Sequence, residues 1–268
     1  MLRHRILTAV VGLPLLIAII WFGAPWFTIL IAAMAGLATW EFYRMAGALK
    51  AEPITYFGIA WVLLIVASPH CPYPATLPFL ITSAIVISLV WLLFRRPRDQ
   101  AFTNWAWTMA AILYIGWMLS YWIQLRNLEA GRELVFLAMF TTFASDTSAF
   151  FIGRTWGKHA LAPSISAGKT WEGAIGGLLA SIVASLIIGV IFTLPFSYWQ
   201  IALTGLIISI FAQLGDLVES LLKRNTGVKD AGKLVPGHGG VLDRVDSLIF
   251  TGVIVYYLVQ LTNLWAKL

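Results

Sequence analysis

SLLKRNTGVKDAGKLVPGHGGVLDRVD, residues Ser220 to Asp246, carries five Lys/Arg, three Asp, one His and five Gly between two long apolar segments. Charge and glycine packed this closely against membrane-grade hydrophobic runs read as the polar wall of a site at a membrane surface. The rest of the 268-residue chain agrees: 60% of it is hydrophobic and 11% charged, where a soluble domain carries about 25% charged residues. That deficit makes the expected fold all-α, a polytopic integral membrane protein. The 13 Trp and 8 Tyr suit interfacial belts. The net charge of +6 is read as topology signal and anionic-substrate attraction, not as a nucleic-acid footprint.

Crossing a bilayer takes about 20 mostly apolar helical residues. Nine segments qualify as expected spans: 6–22, 26–43, 54–68, 77–94, 105–125, 133–152, 173–194, 198–222 and 244–265. The first follows Arg3-His4-Arg5 and exceeds the ~7–15-residue apolar core of a signal peptide, so it is taken as a retained span. With the N-terminus inside, 15 of the 18 Lys/Arg fall on one side and Arg126, Arg132 and Lys267 on the other. This is the asymmetry of the positive-inside rule; it places the N-terminus in the cytoplasm and the chain in the inner membrane. The expected division is 1–130, about five quiet spans, and 131–268, about four spans that carry the chemistry, with cytoplasmic loops 153–172 and 223–243. In the first half Glu41 is read as a helix-end carboxylate paired with Arg44 at i+3.

Seven of the twelve acidic residues lie after residue 140. An ionised side chain at mid-span costs about 2.5–3.5 kcal/mol on the most lenient scale, and folding alone does not repay several. A shared cation or substrate does. Asp216, Ser220 and Lys223 fall at i, i+4 and i+7, one helical face. Asp243 and Asp246, at i and i+3, open the last span; a capping role at the helix start accounts for Asp243 but leaves Asp246 unexplained. Gly237, Gly239 and Gly240 before that helix let backbone N–H groups approach an anion. Lys229, Lys233, His238 and Arg244 surround them. Basic groups hold phosphates, and carboxylates hold Mg²⁺, which in turn holds phosphates.

The link between spans six and seven has the same character: Asp146, Arg154, Lys158, His159 and Lys169. Gly168-Lys169-Thr170 resembles the end of a P-loop, yet Pro163 stands where that motif needs Gly. Lys169 stays a phosphate contact. His159 and His238 have no paired His or Cys at zinc spacing, so a hard, oxygen-ligated cation fits better. Cys71, the only cysteine, excludes an internal disulfide framework.

Ser220-Leu221-Leu222-Lys223-Arg224, Lys229-Asp230, Pro236-Gly237-His238-Gly239-Gly240 and Asp243-Arg244-Val245-Asp246 together resemble the signature of the phosphatidate cytidylyltransferase family. Asp146-Thr147 and Lys169-Thr170-Trp171-Glu172-Gly173 resemble its second conserved region. Departures are Val235, Ser148 and Ala167-Gly168, the last removing one basic residue. The resemblance implies that CTP and phosphatidate give CDP-diacylglycerol and pyrophosphate. It implies Mg²⁺ as cofactor, with K⁺ a second cation, and metal ligands at Asp216 and Asp243, with Asp146 added. On the chemistry of the residues themselves, catalytic roles are expected for Asp216, Lys223 and Asp243, with Asp246, like Asp146, a further metal or orienting candidate. Substrate contacts fall to Lys169, Ser220, Arg224, Lys229, His238, Gly239, Gly240 and Arg244. The expected partners are CTP, phosphatidate and the bilayer; a homodimer is left open.

This chemistry suits the residues. The second pKa of a phosphomonoester is about 6, so the nucleophile is ionised at pH 7 and needs no strong base. The obstacle is repulsion between polyanions, which cations and basic side chains remove. Two rivals remain: a related CTP-dependent transferase acting on another membrane lipid, and an ion-coupled transporter using Asp146 and Asp216. The transporter reading lacks an inverted repeat, and its charges crowd one membrane face.

Overall fold

A computed structural model describes residues 2–94, 99–232 and 239–265. The helices are α1 (Leu2–Phe22), α2 (Trp26–Ala48), α3 (Thr55–Ala67) and α4 (Thr76–Phe94). Next, α5 (Ala101–Ala111) runs through a π-helical turn, Ile112–Trp117, into α6 (Met118–Arg126). Then come α7 (Gly131–Trp156), α8 (Trp171–Ile191), α9 (Tyr198–Asn225) and α10 (Leu242–Trp265). A two-stranded antiparallel hairpin, β1 (Ala160–Ala162) and β2 (Ser166–Thr170), separates α7 from α8, with Ala160 opposite Thr170 and Ala162 opposite Ser166.

The all-α expectation holds, and each of the nine expected segments falls on helix. In hydrocarbon every backbone group must be satisfied internally, and a helix does this. Seven helical stretches among the described residues are long and apolar enough to cross. The count of nine rests on two shorter apolar stretches, Val11–Phe22 and Thr55–His70.

The chain forms two compact units, Met1–Ile123 with Asn225–Val245, and Gln124–Arg224 with Asp246–Leu268. In the first, α2 buries Phe27, Ile31, Ala35, Ala38 and Phe42, α3 buries Val62 and Ile65, and the π-helical turn buries Ile112 and Ile115. The Tyr43 hydroxyl donates to the Thr108 carbonyl at 3.0 Å. The outer faces are apolar too: Trp91, Leu93 and Phe94 of α4 are exposed, as befits side chains whose solvent is lipid.

Lipid tails are as apolar as leucine, so association of helices in a membrane comes from close packing and interhelical hydrogen bonds. The second unit shows both. On α8, a Cβ at Gly173 would lie 2.7 Å from the Ala149 carbonyl of α7, and one at Gly177 would lie 2.9 Å from that of Ser145. The hydroxyls of Ser145 on α7 and Ser209 on α9 are 2.7 Å apart. Ser181 of α8 donates to the Gly205 carbonyl of α9 at 2.5 Å. Small residues therefore bring α7, α8 and α9 into backbone contact and fix the helix faces that carry the acids.

Candidate active site

The 28 residues of α9 end in the polar stretch, and the predicted face is present. The Ser220 hydroxyl reaches Asp216 Oδ1 at 3.4 Å. The same face adds Glu219, three residues past Asp216, with 0% of its surface exposed. Lys223, four residues further on, pairs with Glu219 at 2.5 Å. Lys169, from β2, pairs with Asp216 at 2.9 Å. Two lysines thus face two carboxylates in a setting where an unpaired charge is costly.

Asp246 completes the group from α10. One carboxylate oxygen each from Asp216, Glu219 and Asp246 lie within 4.8 Å of one another. The approach depends on Gly215, where a Cβ would lie 2.6 Å from the Asp246 carbonyl. Three convergent hard oxygen donors suit a divalent cation such as Mg²⁺. Asp146, on α7, accepts from the Ser247 side chain and lines a cavity of about 520 Å³ together with Arg154, Lys169, Gln213 and Asp216. Phe150, Leu161 and Ala149 give the same cavity an apolar side.

The hairpin that carries Lys169 is held at several points. Thr170 caps α8, its hydroxyl oxygen accepting from the Gly173 N–H at 3.1 Å. Glu172 accepts from the backbone N–H groups of Lys158 and His159 at 3.1 and 3.2 Å, and lies 2.6 Å from His159 Nδ1. Arg224 donates from Nε to the Ile165 carbonyl at 3.2 Å. In this structure Arg224 braces the hairpin turn, although the sequence reading gives it a substrate contact.

The first unit holds the remaining predicted residues. Asp243, in the first turn of α10, accepts from the N–H groups of Gly240 at 2.8 Å and Ala231 at 3.1 Å. Asp243 thus lies in the first turn of α10, but both of these donors precede the helix: it ties two loop segments together. Gly239 has φ of +85°, a left-handed conformation that favours glycine. Lys229 lines a cavity of about 430 Å³ with Arg44, Asp230 and Gly232. Arg244 follows Asp243 and is exposed. His238 and Lys233 lie outside the described residues.

Sequence reasoning passed over two carboxylates. Glu219 was legible as one more acid at i+3 from Asp216, but its i+4 relation to Lys223 also suits an ordinary surface ion pair. Glu41 was read as a partner of Arg44. The Arg44 charge does act on it, but Glu41 is also 1% exposed and accepts from the Leu242 N–H at 2.8 Å, 201 residues away in sequence. No local pattern encodes that contact. The expected metal set of Asp216, Asp243 and Asp146 also differs from the group whose oxygens converge, Asp216, Glu219 and Asp246.

Comparison with known proteins adds an independent finding. A family model described as "Cytidylyltransferase family" matches residues 3–262. The chain is 35% identical over 267 residues to a phosphatidate cytidylyltransferase of Bacillus subtilis (strain 168), covering 97% of this chain and 98% of the relative. It is 32% identical over 290 residues to a protein of that name from Synechocystis, covering 96% of each. A third, from Staphylococcus haemolyticus, is 32% identical over 251 residues, covering 93% of this chain and 95% of the relative.

Proposed function

The chain belongs to the cytidylyltransferase family, and from that premise we propose that it makes CDP-diacylglycerol. A phosphate oxygen of phosphatidate attacks the α-phosphorus of CTP. The new P–O bond forms as the bond to the β-phosphate bridging oxygen breaks, and pyrophosphate leaves. Neither proton nor electron needs a further acceptor, because the attacking phosphate is already ionised near neutrality, its second pKa being about 6.

The observation that carries this reading is the convergence of Asp216, Glu219 and Asp246 beside a cavity lined by Lys169, Arg154 and apolar side chains. The three carboxylates are the residues that would hold Mg²⁺. Once bound, the ion would neutralise phosphate charge and stabilise the leaving pyrophosphate. Lys169 and Lys223, paired with two of those carboxylates, supply positive charge that can turn to substrate phosphates. Asp146 orients groups at the cavity wall, with Ser247 as its partner. Asp243, Lys229, Gly239 and Gly240, in the first unit, are assigned to the same reaction by the signature they share with the family, Asp243 as an orienting or cation-binding carboxylate and the others as phosphate contacts. The 15-to-3 distribution of Lys/Arg supports a cytoplasmic face for this chemistry, where CTP is available, in the inner membrane.

The test is a purified protein in lipid nanodiscs supplied with radiolabelled CTP, Mg²⁺ and a lipid panel. Label should enter CDP-diacylglycerol with one pyrophosphate released per lipid, and only with phosphatidate. Label entering a prenyl phosphate instead would move the assignment to another lipid, and no pyrophosphate with any lipid would end the transferase reading.

A further inference from the structure

We propose that Glu41, contributed by α2 from the first half of the chain, is a positioning residue for this transfer: it seats the backbone at Gly232 and at Gly240–Leu242, which sets Asp243 at the start of α10. The inference rests on the function proposed above and concerns a residue distant in sequence from the signature.

A carboxylate in a spanning helix is expensive, about 2.5–3.5 kcal/mol on the lenient scale, and Glu41 is 1% exposed. The structure shows what compensates it. Oε2 accepts from the Leu242 N–H at 2.8 Å, in the first turn of α10, where N–H groups lack intrahelical partners and the helix dipole favours negative charge. The loop is also shaped around the carboxylate. A Cβ at either Gly232 or Gly240 would run into it, so both positions are kept bare to leave it room.

Asp243 holds the same two loop segments from the other side. Its carboxylate accepts from Ala231, beside Gly232, and from Gly240. Glu41 and Asp243 therefore brace one pair of backbone segments between them. Withdrawing Glu41 releases the Leu242 N–H and opens a space under Gly232 and Gly240. Those two segments then settle differently, and the Asp243 carboxylate, bonded to both, moves with them. One turn further along α2, Arg44 lines the cavity of about 430 Å³ that also holds Lys229, so the displaced loop would carry a phosphate-binding lysine too. A misplacement of about 1 Å at a reacting group costs on the order of 100-fold in rate.

The test uses the full chain in nanodiscs and four variants: Glu41→Gln, Glu41→Ala, Gly232→Ala and the Glu41→Ala/Gly232→Ala double. Turnover of CTP with phosphatidate is measured beside hydrogen–deuterium exchange over residues 225–245. Glu41→Gln keeps an acceptor for Leu242 and should retain near wild-type kcat. Glu41→Ala should lower kcat by about 100-fold, change the KM for CTP far less, and speed exchange in that segment. Gly232→Ala should do the same with Glu41 intact. The double variant should be no worse than Glu41→Ala, because the added methyl then has space; such non-additivity marks a shared contact. Should Glu41→Ala fail to fold, Gly232→Ala decides. Wild-type kcat in Glu41→Ala or Gly232→Ala, unchanged exchange in either, or equal losses in the Gln and Ala variants would overturn the proposal. An inactive wild-type protein would instead count against the proposed reaction, and the exchange measurements would still judge the seat.

Discussion

Glu219 and Lys169 show how the charges of the second unit depend on one another. Glu219 is buried against Lys223, and Lys169, half-buried, pairs with Asp216. If Glu219 helps hold a cation, Glu219→Gln should cut kcat by about 100-fold and raise the Mg²⁺ concentration needed for half-maximal rate; an unchanged Mg²⁺ activation curve would leave it only a partner of Lys223. Lys169→Ala should act differently, raising the KM for a phosphate-bearing substrate more than it lowers kcat, and a steady-state comparison of the two parameters checks this. At this scale the sequence was legible where residues share a helix. Asp216, Ser220 and Lys223 stand at helical spacing, and the face they define is present. Glu41 was illegible because its partner is the backbone of a residue 201 positions away, and a backbone donor leaves no mark in side-chain spacing.

Helices follow from apolar length, and all nine expected segments are helical for that reason. What hydropathy does not encode is how closely helices approach. Gly215 permits α9 to meet the α10 backbone at Asp246. Gly215→Leu should therefore separate two of the three convergent carboxylates, abolishing turnover while the protein still inserts; full activity in that variant would show that the approach is dispensable. The hairpin before α8 was read only as a polar link, since strands of three and five residues offer too little alternation to register as a period. Its junction with α8 depends on the Thr170 cap. Thr170→Ala should cost about 1 kcal/mol, visible as a lowered Tm in nanodiscs.

For the whole molecule, the sequence located the chemistry in the second half but did not reveal that residues 225–245 cluster with the N-terminal helices. Compactness depends on contacts between distant segments, which composition along the chain cannot express. Orientation is open to a direct check with the native protein. Cys71 is exposed between α3 and α4, and the Thr76 hydroxyl beside it lowers its pKa, which favours the reactive thiolate. Nine spans with the N-terminus inside put Cys71 outside. A membrane-impermeant maleimide should label it in intact cells, and labelling only after permeabilisation would reverse the assignment. The claim on which the account turns is that the carboxylates of α9 and α10 trap the cation that lets two phosphate-bearing substrates meet. Anomalous scattering from Mn²⁺, in crystals of the full chain grown with CTP, tests it most directly. The account predicts a peak within bonding distance of Asp216 and Asp246, lost in Asp216→Asn; a peak remote from both residues, or one that persists in that variant, would contradict it.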